Sequence, residues 1–230
     1  MNSAKLLWLE RASNSDFAAS VWACYAIEEV TRPVLPDPCI SIALVREEQN
    51  LQVVIRGPET KMHDEQLIAG YACTTIRLRP GVLLRGFPVQ KFVDSSFRLP
   101  ADAAWRFWFG SNQLQFPNFT TAERLIEQLC ALGYLRHGVL SGSEAHMAKD
   151  LSARSQARLI KRTTGLSPHK LHQLERIHQA LRLLKEGMPA TVVAAELDFV
   201  DQAHLTHASK QLLGYTPKQL KQLPHVPQIP

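Results

Sequence analysis

The sequence predicts an α+β chain, with a β-rich N-terminal domain of barrel or sandwich-like form followed by an all-α domain built on two helix-turn-helix units. Three observations lead there. Short runs of β-branched and apolar residues, separated by polar and Pro/Gly clusters, fill residues 39–87. Beyond Thr120 the apolar residues recur at steps of three and four. Two C-terminal stretches, Ser152 to Leu171 and Asp201 to Leu220, superpose without a gap at an offset of 49 residues.

Residues 1–35 show no clear period, although Trp8 and Trp22 are expected core aromatics and Pro33, Pro36 and Pro38 mark a turn region. Strands are expected at Cys39 to Val45, Leu51 to Arg56 and Leu67 to Leu78, and again at Val82 to Phe87 after the break at Arg79-Pro80-Gly81. Thr75, Arg77 and Arg79 alternate with Ile76 and Leu78, the pattern of a half-buried strand. Arg106-Phe107-Trp108-Phe109 is expected to plug a core or a domain interface rather than line a ligand site. Ser111 to Asn118 reads as a connector. Thr120 and Glu123 have capping-box spacing ahead of a helix whose stripe is Leu125, Ile126, Leu129 and Leu132, extending as far as Leu135. That stripe faces either its own domain or a second subunit. The expected division is a sensor-like domain at 1–112, a connector and linker helix at 113–140, the helix-turn-helix domain at 141–223 and a tail at 224–230.

Within the third region, Glu144 to Lys149 is a short support helix. Ser152 and Asp201 are N-caps, whose side-chain oxygens accept from the free N–H groups of a first turn. Gly165 and Gly214 then stop each helix in the left-handed conformation. Ser167-Pro168 and Thr216-Pro217 open the next ones. Between the copies, Leu171, Leu174, Ile177, Leu181 and Leu184 make Pro168 to Glu186 one amphipathic helix, closed by Gly187. Its length is about 27 Å at the usual rise per residue. Ala190 to Leu197 is the second support helix, where Ala194 and Ala195 let another helix approach.

Charge follows the repeat. Residues 1–140 carry 14 Lys/Arg and 14 Asp/Glu, whereas residues 141–230 carry 12 and 7, so the net charge of +5 lies with the helical region. Such an asymmetry suits a polyanion. A helix-turn-helix lays its second helix in the major groove, whose base edges carry a readable donor and acceptor code. Two units on a stiff spacer can enter successive grooves on one face of double-stranded DNA, about 34 Å apart. In the first copy Arg154 and Arg158 share a face and are candidates for guanine, Lys161 and Arg162 for phosphate, and Ser155 and Ala157 are candidates by position. In the second, Gln202, Ala203, Thr206 and His207 are the base-reading candidates, with Lys210 near the backbone.

SARSQARLIKRTTGLSPHKL and VVAAELDFVDQAHLTHASKQLLGYTPKQL resemble the tandem helix-turn-helix domain of AraC-type transcriptional regulators. VLPDPC at Val34 to Cys39, IRGPET at Ile55 to Thr60 and LRPG at Leu78 to Gly81 are similar to the sensor-like domain that precedes this module in a bacterial subgroup. The resemblance implies an activator of transcription, often a homodimer; RNA polymerase and a small-molecule effector are further partners it leaves open, and no residue here specifies an effector. Asp198 stands where the family usually has Gly, His207 where it has Arg and Ser209 where it has Phe. The last change is expected to cost packing energy unless a neighbour fills the space.

The four cysteines lack CxxC pairing and read as reduced, mostly buried thiols of a cytoplasmic protein. No signal segment or membrane span is expected, and no metal, cofactor or catalytic constellation is visible. Two alternatives remain: an alkyl-transfer protein with a reactive Cys39, and a protein-interaction module that does not bind DNA.

Overall fold

The computed structural model describes residues 5–138 and 152–222. The N-terminal half holds β1 (Leu6–Ala12), β2 (Ala18–Ala26), β3 (Val30–Val34), β4 (Ser41–Glu47), β5 (Asn50–Arg56), β6 (His63–Leu67), β7 (Ala72–Leu78), β8 (Leu83–Leu84), β9 (Ser96–Pro100), β10 (Arg106–Phe109), β11 (Asn112–Gln115), α1 (Glu123–Ala131) and β12 (Leu135–Arg136). Six of these strands form one antiparallel sheet in the order β1-β2-β7-β4-β5-β9. The sheet stays open, so no closed barrel forms among the described residues. Its β9 edge is largely exposed and ends in Pro100, which has no N–H to offer a further strand.

The period-two alternation of a strand gives this sheet two different faces. Val21, Ile42, Leu44, Val53, Ile55 and Ile76 point to one side, into a core completed by Phe107, Phe116 and the Leu125, Ile126 and Leu129 stripe of α1. That helix therefore packs on its own domain. On the other side Cys24, Ala43, Val45, Val54 and Cys73 meet Leu67 and Tyr71. Beside them Ser20, Thr75 and Arg77 are buried on the same face, Thr75 at 2% and Arg77 at 4% exposure. The antiparallel β3/β6 ribbon pairs Arg32 with Glu65.

Several expectations change here. The run from Leu67 to Leu78 is not one strand: Gly70, at φ +84°, turns the chain between β6 and β7, and β6 pairs with β3 instead. The stretch read as a connector contains β11, which pairs with β10 across a turn at Gly110. Within the aromatic cluster Phe107 and Phe109 are buried but Trp108 faces out. Trp8 and Trp22 stack at 4.5 Å between centroids and are only half-buried, with the Arg32 guanidinium over both rings. The capping box at Thr120 does not form. Glu123 is taken by Arg11 at 2.6 Å and Ser13 at 3.0 Å, and these bonds, the Arg11 one foremost, hold its pKa at about 2. Asn118 caps the turn instead, accepting from Thr121 N at 3.0 Å.

The C-terminal half comprises α2 (Ala153–Thr164), α3 (Pro168–Lys185), α4 (Ala190–Glu196), α5 (Gln202–Leu213) and α6 (Pro217–Gln222). The expected support helix at Glu144 to Lys149 and the tail lie outside the described residues. Ile177, Ala180, Leu181 and Leu184 of α3 gather Val193, Leu197, Phe199, Leu205, Leu213 and Leu220 into a second core, which also takes Leu35 from the N-terminal half. Leu166, Leu171 and Leu174 form a smaller one against Val93. The halves are further joined where His178 Nε2 donates to Pro36 O at 2.7 Å. No helix among the described residues is long and apolar enough to cross a membrane.

Candidate nucleic-acid interface

Helices α2 and α5 are each 12 residues long and are bounded by the same devices. Ser152 Oγ accepts from Ser155 N at 3.3 Å, and Asp201 Oδ1 accepts from His204 N at 2.7 Å. At the far ends Gly165 and Gly214 both adopt φ +75° and donate to Lys161 O and Lys210 O at 2.9 and 3.0 Å. Only Gly takes that conformation without a steric penalty, so the repeat carries its own stop signal. The helices that follow are capped too. Ser167 Oγ accepts from Lys170 N, and Thr216 and Gln219 exchange side-chain bonds with each other's backbone N–H at 3.3 and 2.9 Å. That reciprocal pair is a capping box.

None of the eleven candidate residues is buried. Arg154, Ser155, Arg158, Lys161 and Arg162 are exposed on α2, with Ala157 half-buried. Gln202, Ala203, His207 and Lys210 are exposed on α5, and Thr206 is half-buried with its hydroxyl donating to Gln202 O at 2.9 Å. These five α5 residues line one open depression. Among the described residues no ion pair involves Arg154, Arg158, Lys161 or Arg162. Lys161 and Arg162 also sit in the last turn of α2, where cations favour the helix dipole.

The departures in the second unit have local answers. Asp198 adopts φ +56°, the left-handed conformation that Gly would take more easily. Ser209 is 1% exposed and leaves no orphan: its hydroxyl donates to Tyr215 O at 2.6 Å, tying the helix to the turn beyond Gly214. Sequence reading missed three residues in or beside α5: His204, Arg176 and Val200. His204 Nδ1 accepts from Val200 N at 3.2 Å and its ring packs edge-on to Phe199. The Arg176 guanidinium lies 4.1 Å from the centroid of the Phe199 ring. Val200, 86% exposed at the entrance to α5, carries no periodic signal that would have singled it out.

Residues 148–222 match the family described as a helix-turn-helix domain. This segment is an AraC-type helix-turn-helix domain. The chain is thus a DNA-binding regulator of transcription. No curated protein matches the chain. Among solved structures, one of ToxT from Vibrio cholerae aligns with 96% of this chain and 100% of its own at 7% identity and a TM-score of 0.41. Another, of ToxT from Vibrio cholerae O395, aligns over 96% and 99% at 10% identity and a TM-score of 0.37.

The alkyl-transfer alternative needs an accessible, acidic thiol. Cys39 is 3% exposed, and burial pushes its pKa well above the ordinary thiol value despite the nearby Arg77.

Proposed function

We propose that the chain reads one asymmetric stretch of duplex DNA with two helix-turn-helix units, α2 and α5 entering successive major grooves and α3 setting their separation. Arg154 and Arg158 contact base edges in the first groove, with Ser155 and Ala157 close by, while Lys161 and Arg162 hold phosphates. Gln202, Ala203, Thr206 and His207 face the second groove, and Lys210 its backbone. The observation that carries this reading is the repeated frame of cap and glycine stop around two helices whose candidate residues remain accessible. Such a protein acts in the cytoplasm, and recruits RNA polymerase as a homodimer whose interface lies away from the α1 stripe, which the domain's own core already occupies.

Selection of bound duplexes from a random pool with the full chain tests the proposal. The expected product is a bipartite motif with half-sites about one helical turn apart. Binding to that motif should fall linearly in log–log form with salt, since each neutralised phosphate releases counterions. A single compact motif would remove the second reading helix from the proposal. No enrichment of any duplex, with salt-insensitive binding of a protein partner, would favour the protein-interaction alternative.

A further inference from the structure

Two sequence motifs that DNA binding leaves unused, and the strand that leads into a third, converge on one cavity. Leu35, Pro36, Asp37 and Cys39 come from VLPDPC, Arg56, Gly57 and Glu59 from IRGPET, and Arg77 from the strand leading into LRPG. The cavity measures about 80 Å³ and lies between the second face of the main sheet and the β3/β6 ribbon, with His178 of α3 in its wall. Three guanidiniums surround it. Arg77 donates through Nε and Nη2 to Asp37, and Arg32 and Arg56 both donate to Glu65. These pairs leave donors over. Arg77 Nη1, Arg32 Nε and the Thr75 hydroxyl are buried and have no hydrogen-bond partner, and the Arg77 and Arg32 side chains are only 5% and 7% exposed. Burying a polar group without a partner costs free energy that a native fold rarely leaves uncompensated.

Charge sharpens the chemistry. The carboxyls of Asp37 and Glu65, although burial opposes ionisation, are held below their ordinary range by the guanidiniums beside them. The Glu59 carboxyl, which burial raises to about 7, only partly offsets the third cation. Among the residues that line the cavity, guanidiniums therefore outnumber fully ionised carboxyls, with the Glu10 carboxyl a further negative group near Arg77. The rest of the lining is apolar, from Trp22, Val34, Leu35, Pro36, Ala43 and Tyr71. An inorganic oxyanion would leave that apolar wall unused, and a neutral apolar molecule would leave the donors unmet. The volume exceeds the roughly 10–15 Å³ that a single water needs and falls short of the roughly 150 Å³ void that holds benzene.

We propose that this cavity binds a short organic monocarboxylate of about three or four carbons, its oxygens on Arg77, Arg32 and Thr75 and its hydrocarbon end against Val34, Leu35 and Ala43. The reading does not depend on how the chain contacts DNA.

Calorimetric titration of the full chain with butyrate, at constant ionic strength, tests it, with butyramide and inorganic phosphate as matched probes. Saturable 1:1 binding of butyrate is expected, with affinity at least tenfold above either control. Thr75→Val, which removes a hydroxyl outside any ion pair, should weaken butyrate about tenfold, the usual worth of one hydrogen bond to a charged group. Ala43→Val, which fills the void and leaves every guanidinium in place, should abolish binding; both variants are first checked for unchanged circular dichroism and cooperative melting. The proposal is overturned if butyrate shows no saturable binding, if phosphate or butyramide binds as well, or if both folded variants bind as the parent does.

Discussion

The two candidate reading helices, α2 and α5, share a frame and differ in almost everything hung on it. In α2 four exposed cations stand along one helix and only Thr163 and Thr164 are buried, both hydroxyls turned back to carbonyls of the preceding turn. In α5 one exposed cation, Lys210, accompanies neutral polar residues, while Leu205, Ser209, Leu212 and Leu213 sink into the helical core. Their footings differ as well. The stop of α2 rests on the N-terminal half, where a Cβ on Gly165 would meet Val93 Cγ2 at 2.7 Å and Val89 O at 3.3 Å. That of α5 meets only the mobile end of Met62, at 2.5 Å. Capping chemistry is thus conserved between the copies as geometry, while charge and anchoring are free to diverge. The first copy presents the more positive face and the second the more deeply packed one.

The largest expected effect concerns the spacer that both copies share. His178 is buried and neutral, burial lowering its pKa to about 4 against the pull of Asp37. The unfolded chain titrates near 6.5, so it takes up the proton first as the pH falls. Stability from this group is complete above about 6.5 and is lost as the pH drops through about 4, amounting to roughly 3 kcal/mol. Glu59 acts in the reverse sense, its contribution full below about 4.5 and lost as the pH rises through about 7. Denaturant melts of the parent and His178→Gln between pH 4 and 7 separate the two, because only the parent should carry the histidine slope. Parallel profiles would remove His178 as the titrating group.

The next effect bears directly on the difference in charge between the two helices. Arg158→Ala should weaken binding to the selected duplex by about 2 kcal/mol and His207→Ala by under about 1. A larger loss from the His207 change, measured by fluorescence anisotropy, would invert the ranking of the copies. Anchoring is tested by Gly165→Ala and Gly214→Ala. Each places a side chain in the left-handed region at about 1 kcal/mol, and the first should cost roughly 1 kcal/mol more because Val93 and the Val89 backbone yield less easily than a methionine tip. Equal losses in chemical denaturation would mean that the two stops are seated alike. The smallest effect is a gain: Asp198→Gly should stabilise the chain by about 0.5 kcal/mol by relieving φ +56°. Unchanged or lower stability in the same assay would show that Asp198 contributes more than its conformation costs.

The helical half was legible because its signals are local. Ser152, Gly165, Pro168, Asp201, Gly214 and Pro217 each act within one turn of themselves, so reading them in order yields the elements they bound. Even there, Ser209 read as a lost aromatic, since its bond to Tyr215 O depends on where the chain goes after the helix ends. The sheet half depends on partners far away in sequence. Nothing around Leu67 shows that β6 will pair with β3, some thirty residues earlier, rather than run on into β7. Thr75 and Arg77 alternate with apolar neighbours as a solvent-facing edge would, and alternation alone does not distinguish water from an enclosed polar chamber. Glu123 had the right spacing for a cap, but Arg11, more than a hundred residues away, offered it a full opposite charge.

The seat of Gly165 on Val89 and Val93 has one more implication. A shift of that turn tilts the first reader and leaves the second where α3 and α6 hold it. Under the proposed two-groove reading, permitted gaps between the DNA segments become a property of the entire molecule, and the C-terminal half cut free should accept a broader set of gaps than the intact chain.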